Sequence, residues 1–347
     1  MVRNTAKPVI TRSTDTDNNN LYRRTQSLRQ RVFQLTSLIW ILVLQLVLAG
    51  VSHAREPVSA VKYPEKITPE MLLGKQLFFD PILSEDRKTT CASCHQFSHG
   101  GSFPDATTLM YNGQPSRYNS SSVFNLSANY ILGWEGQFSS IAQQIDALVT
   151  KKTVMGLSWN EITARLQQHS EYRQRFDIIY PEGITRQTVM HAIATYETAL
   201  TTPSPFDAFQ QGDNGAISED AKLGYELFKR YGCISCHQGQ NIGGNLLQKI
   251  GVIEPYTYDP NDRSQASLGR YNTTHNEADI QVFRVPSLRN VADTPPYFHD
   301  GSVSTLEEAV SLMSKHQLGR EIPSSDITLI VAFLQSLSGS PHPTLIP

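Results

Sequence analysis

Cysteine is scarce in this sequence: four among 347 residues, none of them outside two short motifs. That argues against a disulfide framework of the kind that staples small secreted domains. A surplus of either charge is missing too, with 30 basic against 32 acidic side chains. Nothing in that balance points to a nucleic-acid groove or a polybasic membrane patch. Partner choice must therefore rest on local sites. What the chain does have is length: 347 residues and 38.8 kDa suffice for two domains, each with its own core.

The first 54 residues read as a polar extension followed by an export segment. Arg23, Arg24, Arg29 and Arg31 form a basic flank, residues 35–50 are almost wholly apolar, and Ser52-His53-Ala54 resembles a cleavage site. The alternative is an uncleaved anchor, because the run sits near the lower length limit for spanning a bilayer. Either way the rest of the chain is expected beyond the cytoplasmic membrane, in the periplasm. Residues 1–32 are polar, and disorder is the expectation there.

The cysteines occur as Cys91-Ala92-Ser93-Cys94-His95 and Cys233-Ile234-Ser235-Cys236-His237. This is the pattern for attaching a c-type haem. Two thiols a helical turn apart add across the vinyl groups, and the adjacent His serves as an axial ligand of the iron. A single motif would also suit a redox pair or half a zinc site. Two copies, each followed by His in an exported chain without other Cys, point to two covalently bound haem c groups.

A repeat accompanies the motifs. Leu73-Gly74-Lys75-Gln76-Leu77-Phe78 precedes the first, and Leu223-Gly224-Tyr225-Glu226-Leu227-Phe228 precedes the second. Both copies are expected on helices, opened by Thr68-Pro69-Glu70 and by Ser218-Glu219-Asp220. Gly74 and Gly224 would let another helix approach closely. Further helices are expected over 191–200, from Ser304-Thr305-Leu306 to Met313, and from Ser325-Asp326 to Leu337. The last carries an apolar face suited to the helix of the 220s. Proline and glycine interrupt the helical pattern at 201–215. The expectation is a mainly α fold of two cytochrome c-like haem domains with long loops, over 55–202 and 203–347.

Between residues 67 and 339 the chain resembles the bacterial di-haem cytochrome c peroxidase and MauG group. The resemblance rests on Leu-Gly-Lys-Gln-Leu-Phe-Phe-Asp-Pro at 73–81, Leu83-Ser84, Cys-Ala-Ser-Cys-His, Val-Pro-Ser-Leu-Arg-Asn at 285–290, Thr-Pro-Pro-Tyr-Phe-His-Asp-Gly at 294–301 and Val-Ala-Phe-Leu-Gln-Ser-Leu at 331–337. It implies that the C-terminal haem receives electrons and that the N-terminal haem meets hydrogen peroxide. His95 and His237 match the proximal ligands, and Met313 matches the sixth ligand of the electron-accepting haem. Its other reading is a core residue of an amphipathic helix. Trp134 resembles the Trp between the haems, and Trp134, Tyr111 and His299 are the candidate catalytic residues. Asn119, with the backbone around Thr294 and Pro296, matches a calcium site at the domain interface, so one Ca2+ is implied.

The peroxide pocket departs from the group. Where relatives carry a removable distal His, this chain has Tyr111; where they carry a distal Glu, it has Val154. His99 reads as a polar loop side chain. Glu135 and Glu161 are substitutes for the missing acid, each more simply read as an exposed carboxylate. Tyr111 is open to ligation, hydrogen bonding, radical formation or none of these. The resemblance implies reduction of hydrogen peroxide with electrons from a small donor protein, a cytochrome c or a copper protein. MauG-like oxidation of a partner protein is a variant, and a non-catalytic electron carrier or redox sensor is the alternative. A homodimer, which relatives often form, stays open.

Overall fold

The structure is a computed structural model that describes residues 56–256 and 265–347, together with residues 26, 28, 29, 31 and 33–40. The last group is helical, so residues 26, 28, 29 and 31 depart from the disorder expected of 1–32. The run around them is rich in Gln, Leu and Arg, which are good helix formers. Residues 41–55, with most of the apolar run and the cleavage-site tripeptide, lie outside the described residues. Among the described residues no helix is long and apolar enough to cross a membrane.

Residues 57–347 form one compact unit. Its main helices, with the turn of the first motif, are in chain order α1 (Pro69–Phe79), α2 (Cys91–Cys94), α3 (Ile141–Thr150), α4 (Trp159–Gln168), α5 (Ser170–Ile179), α6 (Arg186–Ala199), α7 (Pro205–Gln210), α8 (Glu219–Tyr231), α9 (Leu306–Leu318) and α10 (Ser324–Gln335), besides the single turns Gln265–Leu268 and Tyr271–Thr274. Short helical turns fill the loops. The sheet among the described residues is a single antiparallel pair, β1 (Leu247–Lys249) with β2 (Val282–Arg284), in which Gln248 faces Phe283. The fold is mainly α, as the periodicity implies.

Side-chain chemistry sets the helix starts. Thr68 caps α1 ahead of Pro69, Ser218 caps α8, and Thr305 caps α9 through the Glu308 N–H. α9 runs on to Leu318, a turn and more beyond the expected end at Met313, until Gly319 stops it in the left-handed conformation.

Two helix crossings organise the unit, and each needs the glycine of its repeat. A Cβ on Gly74 would stand 2.0 Å from the Ala192 carbonyl oxygen and 2.7 Å from Tyr196 Cβ. On Gly224 it would stand 1.9 Å from the Leu329 carbonyl oxygen and 3.0 Å from Phe333 Cβ. α1 thus lies backbone to backbone on α6, and α8 on α10. Around the first crossing Leu73, Leu77, Ile162, Leu166, Phe176 and Ile193 are almost fully buried; around the second, Phe206, Phe228, Ile330 and Phe333 are. Each such side chain contributes roughly 1.5–3 kcal/mol by leaving water.

The chain ends exchange partners across these cores. Val58 packs with the α8/α10 core, and the Val61 N–H donates to Asp207 at 2.8 Å. At the other end Leu345 packs beside Phe78 and Tyr196, and the Tyr196 hydroxyl donates to its carbonyl at 2.8 Å.

Candidate haem sites and the segment between them

The first motif is a single helical turn. Thr90 caps it in a reciprocal box with Ser93, which sets Cys91 and Cys94 one turn apart and releases His95 at its end. Gly100 and Gly101, both at positive φ, then fold the chain back so that His95 Nδ1 lies 3.2 Å from the Gly101 carbonyl oxygen. The second motif is a 3-10 turn entered through Gly232, and His237 Nδ1 lies 3.3 Å from the Ile242 carbonyl oxygen. Burial pushes both imidazoles below their ordinary value, His237 down to about 4. Both rings are therefore neutral at pH 7. A neutral ring whose Nδ1–H is held by a carbonyl presents Nε2 as a lone pair, as an axial metal ligand requires.

The thiols fit covalent attachment better than redox exchange. All four are free of disulfides. Burial pushes Cys91 and Cys94 up and Cys233 up to about 11, whereas exchange-active Cys-X-X-Cys pairs have lowered values. Among the described residues no three His, Cys, Asp or Glu side chains gather to hold a metal ion, so neither motif has the second half of a zinc site there. Beside Cys91 stands Glu197, whose carboxyl burial holds up to about 8, so that it keeps its proton at neutral pH.

Trp134, His299, Asn119 and Met313 come together where the two halves of the chain meet. The Trp134 indole donates to the Asn119 carbonyl at 2.8 Å, and the Asn119 N–H donates to the His299 carbonyl at 2.8 Å. The His299 ring stacks on Phe283 at 4.1 Å and meets Trp134 edge-on at 6.5 Å. Burial lowers the His299 pKa against a smaller opposing pull from Asp300. Met313, half-buried on α9, packs into the same apolar cluster as Trp134, Phe283, Tyr256 and Ile250. Asn119 Nδ2 points to the Asp105 and Ala106 carbonyls at 3.3 and 3.5 Å, and Pro295-Pro296, joined by a cis bond, passes close by with Pro295 O accepting from His99 Nε2 at 2.7 Å.

Tyr111 is placed elsewhere. Its hydroxyl donates to Glu85 at 2.8 Å, and both groups occupy the space a Cβ on Gly156, two residues after Val154, would need. Val154 packs against the first core. Glu161 is an exposed capping residue held by Ser158, as expected. Glu135 is a correction: it is buried, because it accepts from Arg117 at 3.0 Å, from the Tyr118 hydroxyl at 3.0 Å and from Thr273 at 2.5 Å.

These sites carry the signature of one family. The profile of the di-haem cytochrome c peroxidases matches residues 68–215. A cytochrome c551 peroxidase of Nitrosomonas europaea is 39% identical over 298 residues, covering 84% of this chain and 86% of that protein. The chain belongs to the di-haem cytochrome c peroxidase family. It is accordingly a haem protein and an oxidoreductase of the peroxidase type. The cytochrome c peroxidase Ccp of Escherichia coli is 37% identical over 83% of this chain and 62% of its own length. Among solved structures, a MauG-like protein associated with microbial copper homeostasis superposes with a TM-score of 0.71 at 23% identity, covering 85% of this chain and 97% of that one. At that identity the likeness speaks for the fold.

The sequence reading missed a second repeat that builds the junction of this family member. Asn125, Leu132, Gly133, Trp134, Glu135, Gly136 and Phe138 correspond in constant register to Asn290, Tyr297, Phe298, His299, Asp300, Gly301 and Val303. Both copies have positive φ at Asn125 and Asn290, at Gly133 and Phe298, and at Gly136 and Gly301, and both close with an antiparallel bridge, Leu132 to Phe138 and Tyr297 to Val303. The signal was Trp-Glu-Gly against His-Asp-Gly, too divergent in side chain to stand out. Arg284 and Glu85 were missed because neither lies in a motif.

Proposed function

We propose that the chain reduces hydrogen peroxide to water, taking electrons one at a time from a small redox protein. The supporting observation is the pair of half-buried imidazoles, each following two free thiols and each anchored through Nδ1 to a backbone carbonyl. Cys91, Cys94 and His95 would hold one haem c, and Cys233, Cys236, His237 and Met313 the other. Haem iron supplies a one-electron couple at each site and, where a coordination position is open, a place for peroxide oxygen to bind.

The chain's own residues do the rest. Trp134, hydrogen-bonded to Asn119 and packed with Met313, lies in the segment through which electrons pass between the halves. One peroxide takes two electrons and two protons and leaves two waters. The proton on the departing oxygen is the difficult part, since a placed acid contributes ~10²–10⁴-fold. Val154 carries no proton and Glu135 is tied to Arg117, Tyr118 and Thr273, so the proton is read as coming from Tyr111 with Glu85, from the protonated Glu197 beside Cys91, or from solvent. The same reading puts the protein in the periplasm, as two haem domains over 55–202 and 203–347, with calcium at Asn119.

A steady-state assay with reduced cytochrome c, and in parallel a reduced copper protein, tests this. Two donors oxidised per peroxide consumed, with saturation in both, is the expected result. No donor oxidation with both haems loaded would leave an electron carrier or sensor.

A further inference from the structure

Arg284 closes β2, and its side chain is 5% exposed. Its backbone N–H donates to Trp134 O at 2.9 Å, its Nε donates to Gly133 O at 3.2 Å, and its guanidinium lies 5.8 Å from the centroid of the Trp134 ring. Among the described residues the two terminal nitrogens find no acceptor and no carboxylate pairs with the charge. Burial alone acts on it, lowering its pKa to about 10. The other buried arginine shows what such a charge ordinarily has. Arg289 makes a two-pronged bond to Asp207 at 2.8 and 2.9 Å and reaches the carbonyls of Ser59 and Gln240 as well.

A desolvated guanidinium with four donor hydrogens unspent is costly unless an anion meets it, and its planar fork suits a carboxylate. The surroundings say which anion. The strand that carries Arg284 continues into Val285, which exchanges hydrogen bonds with Leu246 and Gly244 in the loop after the second motif, and the Pro286 backbone is a hydrogen-bonding neighbour of the His237 imidazole. Phe283, on its other side, belongs to the cluster of Met313 and Trp134.

We propose that Arg284 binds a carboxylate side chain of the haem held by His237, and thereby fixes that haem's edge against Trp134 and raises its reduction potential. This rests on the reading that His237 holds a haem. Arg284 is a positioning residue: the charge it places beside the haem favours the reduced, less positive iron.

The test is a redox titration of the loaded protein without peroxide, following each haem by its own optical band, for wild type, Arg284→Lys and Arg284→Gln. In Arg284→Gln the ferrous-to-ferric ratio of the His237 haem, at fixed ambient potential, should fall tenfold or more, about 59 mV for a one-electron couple. Arg284→Lys should fall about two- to threefold, because the charge stays and the fork is lost. The His95 haem should not move. If Arg284→Gln does not load haem, the Lys variant decides alone. Unchanged potentials in a loaded variant, or a shift confined to the His95 haem, would overturn the proposal. Because peroxide takes no part, a failure of peroxide turnover leaves this result standing.

Discussion

The Trp134 segment and the His299 segment share a backbone and differ in nearly every side chain that matters. The same left-handed Asn, the same glycine after an acidic residue and the same closing bridge recur in both. One copy presents an indole to the junction, the other an imidazole stacked on Phe283. Just ahead, Phe124 packs edge-on against Phe97 at 5.0 Å, whereas the second copy places Arg289 there, in an ion pair with Asp207. The helix crossings diverge likewise. Next to Tyr196 stands Glu197 beside Cys91, while next to the equivalent Phe333 stands the buried Leu334. Duplicated backbone with diverged side chains is how one fold can carry two haem sites of different chemistry.

The sharpest break in this comparison is Arg289→Met. It leaves Asp207 buried without its cation, so the second half should lose ~3–5 kcal/mol, measured by urea unfolding. The apolar side chain at the equivalent Phe124 tolerates no such reading, and Phe124→Leu should cost less than half as much. A loss under about 1 kcal/mol for Arg289→Met would mean that the ion pair is dispensable.

The crossings should respond alike where they are alike. Gly74→Ala and Gly224→Ala each force a Cβ into a carbonyl within 2.0 Å, and each should destabilise by ~1–3 kcal/mol or more. A cost at only one of them would show that the crossings are not equivalent.

Glu197 gives a difference in pH behaviour. Its folded pKa of about 8 lies above the ordinary carboxylate value of 4.5 because burial disfavours the charge. Between those values the unfolded chain has released this proton and the folded chain still holds it, so stability falls as pH rises from 4.5 towards 8. In Glu197→Gln that decline should flatten, and thermal unfolding across the range would show it. An unchanged slope would place the decline elsewhere. The smallest effect belongs to Tyr111→Phe. The bond to Glu85 is exposed, so stability should change by only a few tenths of a kcal/mol up to ~1. The rate of reaction with peroxide should nevertheless fall if the pair delivers the proton.

Much of this was legible in the residues. Cys-X-X-Cys-His points to haem attachment because that chemistry needs those atoms at that spacing, and the repeated Leu-Gly before it marks both helix crossings because only glycine allows a carbonyl within 2 Å of its Cβ position. The junction was legible only in part. The resemblance names Trp134, His299, Asn119 and Met313, but Arg284, Phe283 and Tyr118 come from segments distant in the chain, and such contacts leave no period in a sequence. Glu135 was misjudged for the same reason: its partners Arg117, Tyr118 and Thr273 come from three separate segments.

The proposed function requires that peroxide, which takes two electrons, draw one of them from the haem that His237 would hold and the other from the site at His95. Stopped-flow mixing of the half-reduced, fully loaded protein with hydrogen peroxide tests it most directly. The account predicts fast loss of a high-spin band together with oxidation of the low-spin ferrous haem. A spectrum unchanged over seconds, with both haems six-coordinate, would contradict it.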